Sequence, residues 1–200
     1  MRSDPGKMKV MSTWPTLDAV RADALACTWC PLAETRTQVV FGAGDPEAGL
    51  MFVGEGPGAE EDRQGIPFVG RAGQLLTKLI EGIGLTRDDV YIANVVKCRP
   101  PGNRDPQPGE IESCRPFLEA QVAFVAPRVV VTLGNFATKL LLDTKTGITK
   151  LRGQEHAYGD AVLVPTLHPA AVLRGGGVPL AQTRADFVVV KRALARGAPS

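Results

Sequence analysis

Four groups of residues in this 200-residue chain have types and spacings that could do chemistry. The first is the stretch Gly54-Glu55-Gly56-Pro57-Gly58, continuing to Gly70, which crowds five glycines, four acidic residues and Phe68 into one segment. Glycine lets backbone approach a ligand closely, a carboxylate can orient water, and an aromatic ring can stack on a flat partner. An ordinary glycine-rich turn is the plain alternative. The second group is Cys27-x-x-Cys30 with Cys98 and Cys114 far along the chain. The third and fourth are Asn94 and His168-Pro169, each at the end of an apolar run.

The four cysteines point to a metal site more than to disulfides, because the chain carries no secretory signal and one pair has ligand spacing. Four unrelated buried cysteines would be the bland reading. Cys98 argues against it, since it opens a proline-rich segment that would benefit from a staple. Zinc and a [4Fe–4S] cluster both accept four thiolates, so residue types alone do not choose between them. The second pair lacks the spacing of a zinc ribbon, which tilts the choice towards iron–sulfur.

The elements that must position these groups follow from periodicity. Residues 17–26 have apolar positions at helical spacing behind Thr16 as N-cap, and this helix delivers Cys27. Buried strands are expected over 50–53, 90–96, 128–133 and the second arm of a hairpin that turns at Gly159-Asp160. The glycine-rich stretch is then a long loop between the first strand and a helix over 72–83. Further helices are expected over about 110–124, from Asn135 to Leu142, and over 179–195, with Pro116 forcing the first of these to start late or bend. Strands alternating with helices predict an α/β fold: a three-layer α/β/α sandwich around a central, mainly parallel four-stranded sheet. Loops at the carboxyl ends of such strands are where sites are built.

Composition sets the bounds. Forty-four per cent hydrophobic residues suffice for one core, so residues 1–13 are expected to be a loose tail and 14–197 a single domain. A formal charge of +2, from 23 basic and 21 acidic residues, does not make the molecule a polycation. Any nucleic-acid affinity must come from a local basic face. No apolar run approaches a membrane span, and the expectation is a soluble, cytoplasmic monomer.

Taken together, Gly54-Glu55-Gly56-Pro57-Gly58 with Phe68, Asn94, Lys97-Cys98-Arg99-Pro100-Pro101-Gly102-Asn103-Arg104, His168-Pro169-Ala170-Ala171-Val172-Leu173-Arg174 and the four cysteines resemble the family 4 uracil-DNA glycosylases. The likeness runs from about Leu25 to Arg192. It implies an α/β/α glycosylase with a [4Fe–4S] cluster on Cys27, Cys30, Cys98 and Cys114, acting on uracil in single- or double-stranded DNA in base-excision repair.

The residues suit that chemistry. An enzyme acting on a base takes it out of the duplex, so it needs a stacking platform, an edge reader and a backbone grip. Phe68 supplies the platform and Gly56 the close approach. The Asn94 carbonyl can accept the uracil N3–H while its amide donates to O4, and cytosine offers the reverse pattern at both atoms. Breaking the N-glycosidic bond leaves negative charge on the base, which His168 can meet with a hydrogen bond to O2.

Related glycosylases of another family place an aspartate where this chain has Gly56. Glu55, Glu61 and Asn103 are the available substitutes for orienting water; Glu61 could instead exclude a thymine methyl. Glu60 and Asp62 read as solvated loop acids. By the same resemblance Val172, Leu173 and Arg174 form an intercalation loop. Arg99, Arg104 and Arg115 near the cysteines read as candidate phosphate contacts, and surface solubility explains any one of them equally well.

Three alternative readings fit the residues less well. A related group cross-links to uracil-DNA without turnover through a histidine in an Arg-rich insertion, but His156 and His168 are the only histidines, neither lies between Cys98 and Cys114, and the Arg-Arg-Ile-His pattern is absent. A nucleotide-binding redox protein would need G-x-G-x-x-G, and Pro57 interrupts the spacing. A non-catalytic DNA-binding module would leave Asn94 and His168 unexplained.

Overall fold

The computed structural model describes residues 14–196, so the tail expected over 1–13 and the chain end from 197 onward lie outside the described residues. The framework is a six-stranded sheet in the order β1-β3-β2-β4-β6-β5. Its centre is the set of strands expected from the apolar runs: β2 (Leu50–Gly54), β3 (Tyr91–Asn94), β4 (Val129–Leu133) and β6 (Ala161–Thr166), all parallel. Two short antiparallel edges extend it, β1 (Ala43–Gly44) on β3 and β5 (His156–Tyr158) on β6. The sheet is therefore mixed and six-stranded, not four-stranded. The sequence reading missed β1 because two residues ending in a glycine look like a turn. Gly44 takes φ +118 and lies so close to Val90 that a side chain there would collide with its carbonyl.

Alternating residues of each central strand enter different cores, as strand geometry requires. Leu50 and Phe52 join Ile92 and Val131 against α4 (Arg71–Gly82) and α9 (Gly177–Ala195). Met51 and Val53 join Ala93 and Val130 against α2 (Leu32–Thr35), α5 (Pro108–Val125) and α6 (Asn135–Leu141). A third cluster seats α1 (Leu17–Ala26) on Phe41 and Phe117. Burial of both faces explains why the strands read as unbroken apolar runs.

Helix α5 begins earlier than expected and runs through Pro116. Pro108 at its first turn needs no amide partner, and Gln107 with Glu110 forms a capping box. The carbonyl that Pro116 leaves without a helical partner belongs to Glu112, an exposed residue. Four further helices were not anticipated: α2, α3 (Ala59–Gln64), α7 (Ile148–Leu151) and α8 (Pro169–Gly175). Among the described residues no helix is long and apolar enough to cross a membrane.

Candidate active site and cysteine centre

The carboxyl ends of β2, β3 and β6 converge on a cleft of about 430 Å³. Glu55, Gly56, Phe68, Asn94, Asn103 and His168 all line it, together with Asp105, Arg104 and Arg174. The structure thus brings the expected catalytic and base-binding residues to one place.

Asn94 ends β3 and is 1 % exposed. Its Oδ1 is buried with no hydrogen-bond partner. A buried acceptor left unpaired costs about 1–3 kcal/mol, so such an atom facing a cleft marks a place for a donor. The neighbouring strand ends in Gly54, whose missing side chain lets Asn94 and Phe68 pack closely against it. A Cβ at Gly54 would sit 2.4 Å from Asn94 Oδ1 and 2.5 Å from Phe68 Cζ.

Phe68 lies against this space with its backbone at φ +54, an unusual value for a residue with a side chain. Two charged groups hold it there. Glu61 Oε1 accepts from the amides of Val69 (2.9 Å) and Gly70 (2.8 Å), and its Oε2 from Gly58 (3.1 Å). From the other side, the Arg87 guanidinium donates to the carbonyls of Pro67 (2.8 Å) and Phe68 (3.0 Å). Gly73 permits the helix to approach, since a Cβ there would lie 1.8 Å from Phe68 O. Sequence reasoning offered Glu61 as a water-orienting group; its carboxylate is instead bound to three backbone amides. It missed Arg87, whose place in a surface turn gave no signal.

His168 stands 5.9 Å from Phe68, centroid to centroid, at an interplanar angle of 37°. Its Nδ1 accepts from the amide of Ala170 (3.2 Å), capping α8. Burial, helped by the Arg174 charge, lowers its pKa to about 4. The ring is therefore neutral near pH 7, and with Nδ1 as acceptor its proton sits on Nε2. The strand that delivers it is anchored by buried Asp186, which accepts from Thr166 Oγ1 (2.6 Å) and pairs with Arg152.

The water-orienting candidates separate clearly. Asn103 Oδ1 accepts from Arg99 Nε (2.7 Å), so both residues are engaged with each other. The Glu55 carboxyl has no hydrogen-bond partner among the described residues, and burial, with the charge of Asp105 beside it, raises its pKa to about 7.

The expected DNA-facing residues divide too. Arg104 forms a two-pronged pair with buried Glu110 (2.6 and 3.0 Å), which also caps α5. Arg115 pairs with Glu112 (3.1 Å). Val172, expected in an intercalating wedge, is 2 % exposed, because the helical turn of α8 points it inward; Leu173, at 44 %, faces out. Asp62, expected to be solvated, is buried and accepts from the amides of Thr37 (2.9 Å) and Gln38 (3.4 Å). Glu60 does lie at the surface, paired with Arg63.

The four cysteines line a second, narrow hollow with Arg36, Lys97, Trp29 and Phe117. Three of the sulfurs already accept N–H groups: Cys27 from Trp29 N (3.5 Å), Cys98 from Arg36 Nη1 (3.4 Å) and Cys114 from Lys97 N (3.3 Å). Trp29 stacks on Phe117 at 4.8 Å to close one side. Burial raises the Cys98 thiol and pushes Cys114 to about 11, so thiolates here need positive charge in the hollow. Among the described residues no three His, Cys, Asp or Glu side chains are arranged to hold a single metal ion.

Comparison with known proteins places the chain among relatives. The family model for the uracil DNA glycosylase superfamily matches residues 41–194. A type-4 uracil-DNA glycosylase of Thermotoga maritima is 51 % identical over 150 residues, covering 74 % of this chain and 78 % of that protein. The corresponding protein of Sulfurisphaera tokodaii is 45 % identical over 167 residues, covering 79 % and 76 %. That of Archaeoglobus fulgidus is 45 % identical over 166 residues, covering 79 % and 83 %. The chain belongs to the uracil DNA glycosylase superfamily.

Proposed function

We propose that the protein is a monofunctional uracil-DNA glycosylase that hydrolyses the bond between uracil and deoxyribose and leaves an abasic site. The observation that carries this is the unpartnered, buried Oδ1 of Asn94 in the cleft between Phe68 and His168. A base stacked on Phe68 with its N3–H on that oxygen receives the Asn94 amide at O4, and cytosine meets two mismatched contacts. His168 donates from Nε2 to O2 and strengthens this bond as the C1′–N1 bond breaks and charge gathers on the departing base. Glu55, ionised, accepts a hydrogen bond from the water whose oxygen attacks C1′. Water supplies the hydroxyl to the sugar and, in net terms, the proton to uracil.

In this reading the cysteine hollow holds a [4Fe–4S] cluster on Cys27, Cys30, Cys98 and Cys114. Its fit rests on four thiols spread around a hollow, N–H donors to three sulfurs and two nearby cations. When bound, the cluster supplies positive iron charge to buried thiolates and cross-links α1 to the segment 98–114. Zinc suits a spread hollow less well, because it draws four ligands to one point. Leu173 and Arg174 face DNA beside the cleft, with Arg99 nearby, and the chain acts as a monomer on single- or double-stranded uracil-containing DNA. The rival reading, cross-linking without turnover, is not favoured: the segment between Cys98 and Cys114 carries no histidine to form the bond.

An end-labelled oligonucleotide with one deoxyuridine tests the reading. Scission at the uracil only after alkali, over many turnovers, is the expected result. A denaturant-resistant protein–DNA adduct would instead support the cross-linking group, and neither product from protein with an intact metal centre would overturn glycosylase function.

A further inference from the structure

Among the described residues Lys97 is the one buried cation, 1 % exposed, and the excision chemistry above leaves it unused. Removing an ammonium from water is costly unless its protons find acceptors. Two are present: the carbonyl oxygen of Asn94 at 2.6 Å and Oε1 of Gln121. Gln121 is itself fully buried and fixed by donating to Phe41 O (2.7 Å) and Tyr91 Oη (3.2 Å). The backbone of Lys97 is held as firmly. Its amide donates to Cys114 Sγ (3.3 Å) and its carbonyl accepts from Val40 N (2.8 Å).

The sheet explains why Asn94 needs such a partner. Val95 N donates to Gly54 O, so the carbonyl of the same peptide, that of Asn94, points away from β2. On that side β1 pairs with β3 only as far as Ile92. No strand serves Asn94 there, and the lysine ammonium takes the position a strand amide would have filled.

We propose that Lys97 is a positioning residue for base recognition: its ammonium fixes the Asn94 peptide so that the side-chain carbonyl meets the base edge, and its amide ties that geometry to the cysteine centre. The proposal rests on the uracil-excision reading and goes beyond it by naming what sets the edge reader and how the metal centre bears on it. A positioned group 1 Å out of place costs on the order of a hundredfold in rate.

The test is a double-mutant cycle of Lys97→Met with Asn94→Ala on the metal-loaded protein, read by single-turnover excision of uracil and by inhibition with free uracil. A second variant, Lys97→Met with Gln121→Leu, replaces both sides of the buried polar contact with apolar groups. The visible absorbance of the metal centre is recorded for each. The expected result is unchanged absorbance, a loss of roughly 10–100-fold in excision rate, a similar weakening of uracil inhibition and KM for DNA within about twofold. In the Asn94→Ala background the same Lys97→Met change is expected to cost less than about threefold.

Equal losses in both backgrounds would make Lys97 a general structural residue and overturn the proposal, as would no loss in the wild-type background. Loss of the metal centre or of folding in both Lys97 variants would do the same. Wild-type protein that excises no uracil would remove the functional reading and the proposal with it. That outcome is separate from additive losses in an active enzyme, which remove the proposal alone.

Discussion

The segment from β2 to α4 and the segment from β3 to α5 leave adjacent parallel strands at the same end of the sheet, yet they are held in opposite ways. The first is fixed by the chain alone: Glu61 grips the amides of Gly58, Val69 and Gly70, and Arg87 grips the carbonyls of Pro67 and Phe68. The second is pinned at its two ends by Cys98 and Cys114, whose sulfurs have only single N–H donors, and between them by the Arg99–Asn103 and Arg104–Glu110 contacts. The stacking platform is therefore built before any ligand arrives. The other segment is organised around a hollow whose thiols call for charge from outside the chain. Between the two stands Asn94, the end of β3, with one polar atom left unpaired.

On this division the largest effects come from the space between the segments. Asn94→Asp is expected to abolish recognition of uracil, and His168→Ala to lower turnover about 10²–10³-fold with less effect on DNA binding, as for loss of one donor to a developing anion. Gly54→Ala should be nearly as damaging, since its methyl lies within 2.5 Å of both Asn94 Oδ1 and Phe68 Cζ. A loss on the order of 10²-fold is expected with the metal centre retained. Steady-state excision with the absorbance recorded alongside checks all three. Wild-type turnover in Asn94→Asp and His168→Ala would sink the site assignment.

Removing the metal, or Cys98→Ser, separates the two segments directly. Amide hydrogen exchange should quicken over 98–114 while 54–70 keeps its protection, because the hydrogen bonds of the glycine-rich loop involve none of the thiols. Equal loss of protection in both segments would show that the platform depends on the cysteine centre too.

Glu61→Gln probes the other side of the comparison. One amide oxygen replaces two carboxylate oxygens that now serve three backbone donors, so at least one partly buried N–H loses its acceptor. A cost of about 1–3 kcal/mol in unfolding free energy is expected, with excision lowered roughly tenfold and the metal absorbance unchanged. Full activity with lowered stability would confine Glu61 to folding and leave Phe68 positioned by Arg87 alone.

Legibility in the sequence follows the same division. The four central strands read plainly because both faces of each are buried, and the residues that meet the ligand read plainly because Phe68, Asn94 and His168 are unusual where they stand. What could not be read were pairings across the fold. Nothing in the sequence near Arg87 says that it reaches Phe68 O, nor that Lys97 reaches Gln121 across 24 positions. Val172 and Asp62 were misjudged for a related reason. Each sits in a segment read as an open loop, and the helices α8 and α3 turn both side chains inward.

The smallest expected effect is on pH dependence, and it distinguishes Glu55 from His168 in the cleft. Glu55 has its pKa raised to about 7 by burial and by the charge of Asp105. A raised carboxylate means that the folded state holds the proton more tightly, so this stabilising contribution is full below the unfolded value of 4.5 and is lost as pH rises through about 7. Excision runs the other way, because the carboxylate is the form that orients water, so the rate should climb through about pH 7 to a plateau. His168, lowered to about 4, stays neutral over that range and adds no inflection of its own. The stability gained by holding it neutral is present above its unfolded value of 6.5 and is lost as pH falls towards 4. Replacing Asp105 with Asn removes one cause of the Glu55 shift. The rising limb should then move to lower pH while the plateau rate changes less than about threefold, since burial, the larger cause, remains. A limb that stays in place in Asp105→Asn, or one that persists in Glu55→Gln, would take water orientation away from Glu55 and return it to the segment between Cys98 and Cys114, where Asn103 is the remaining candidate.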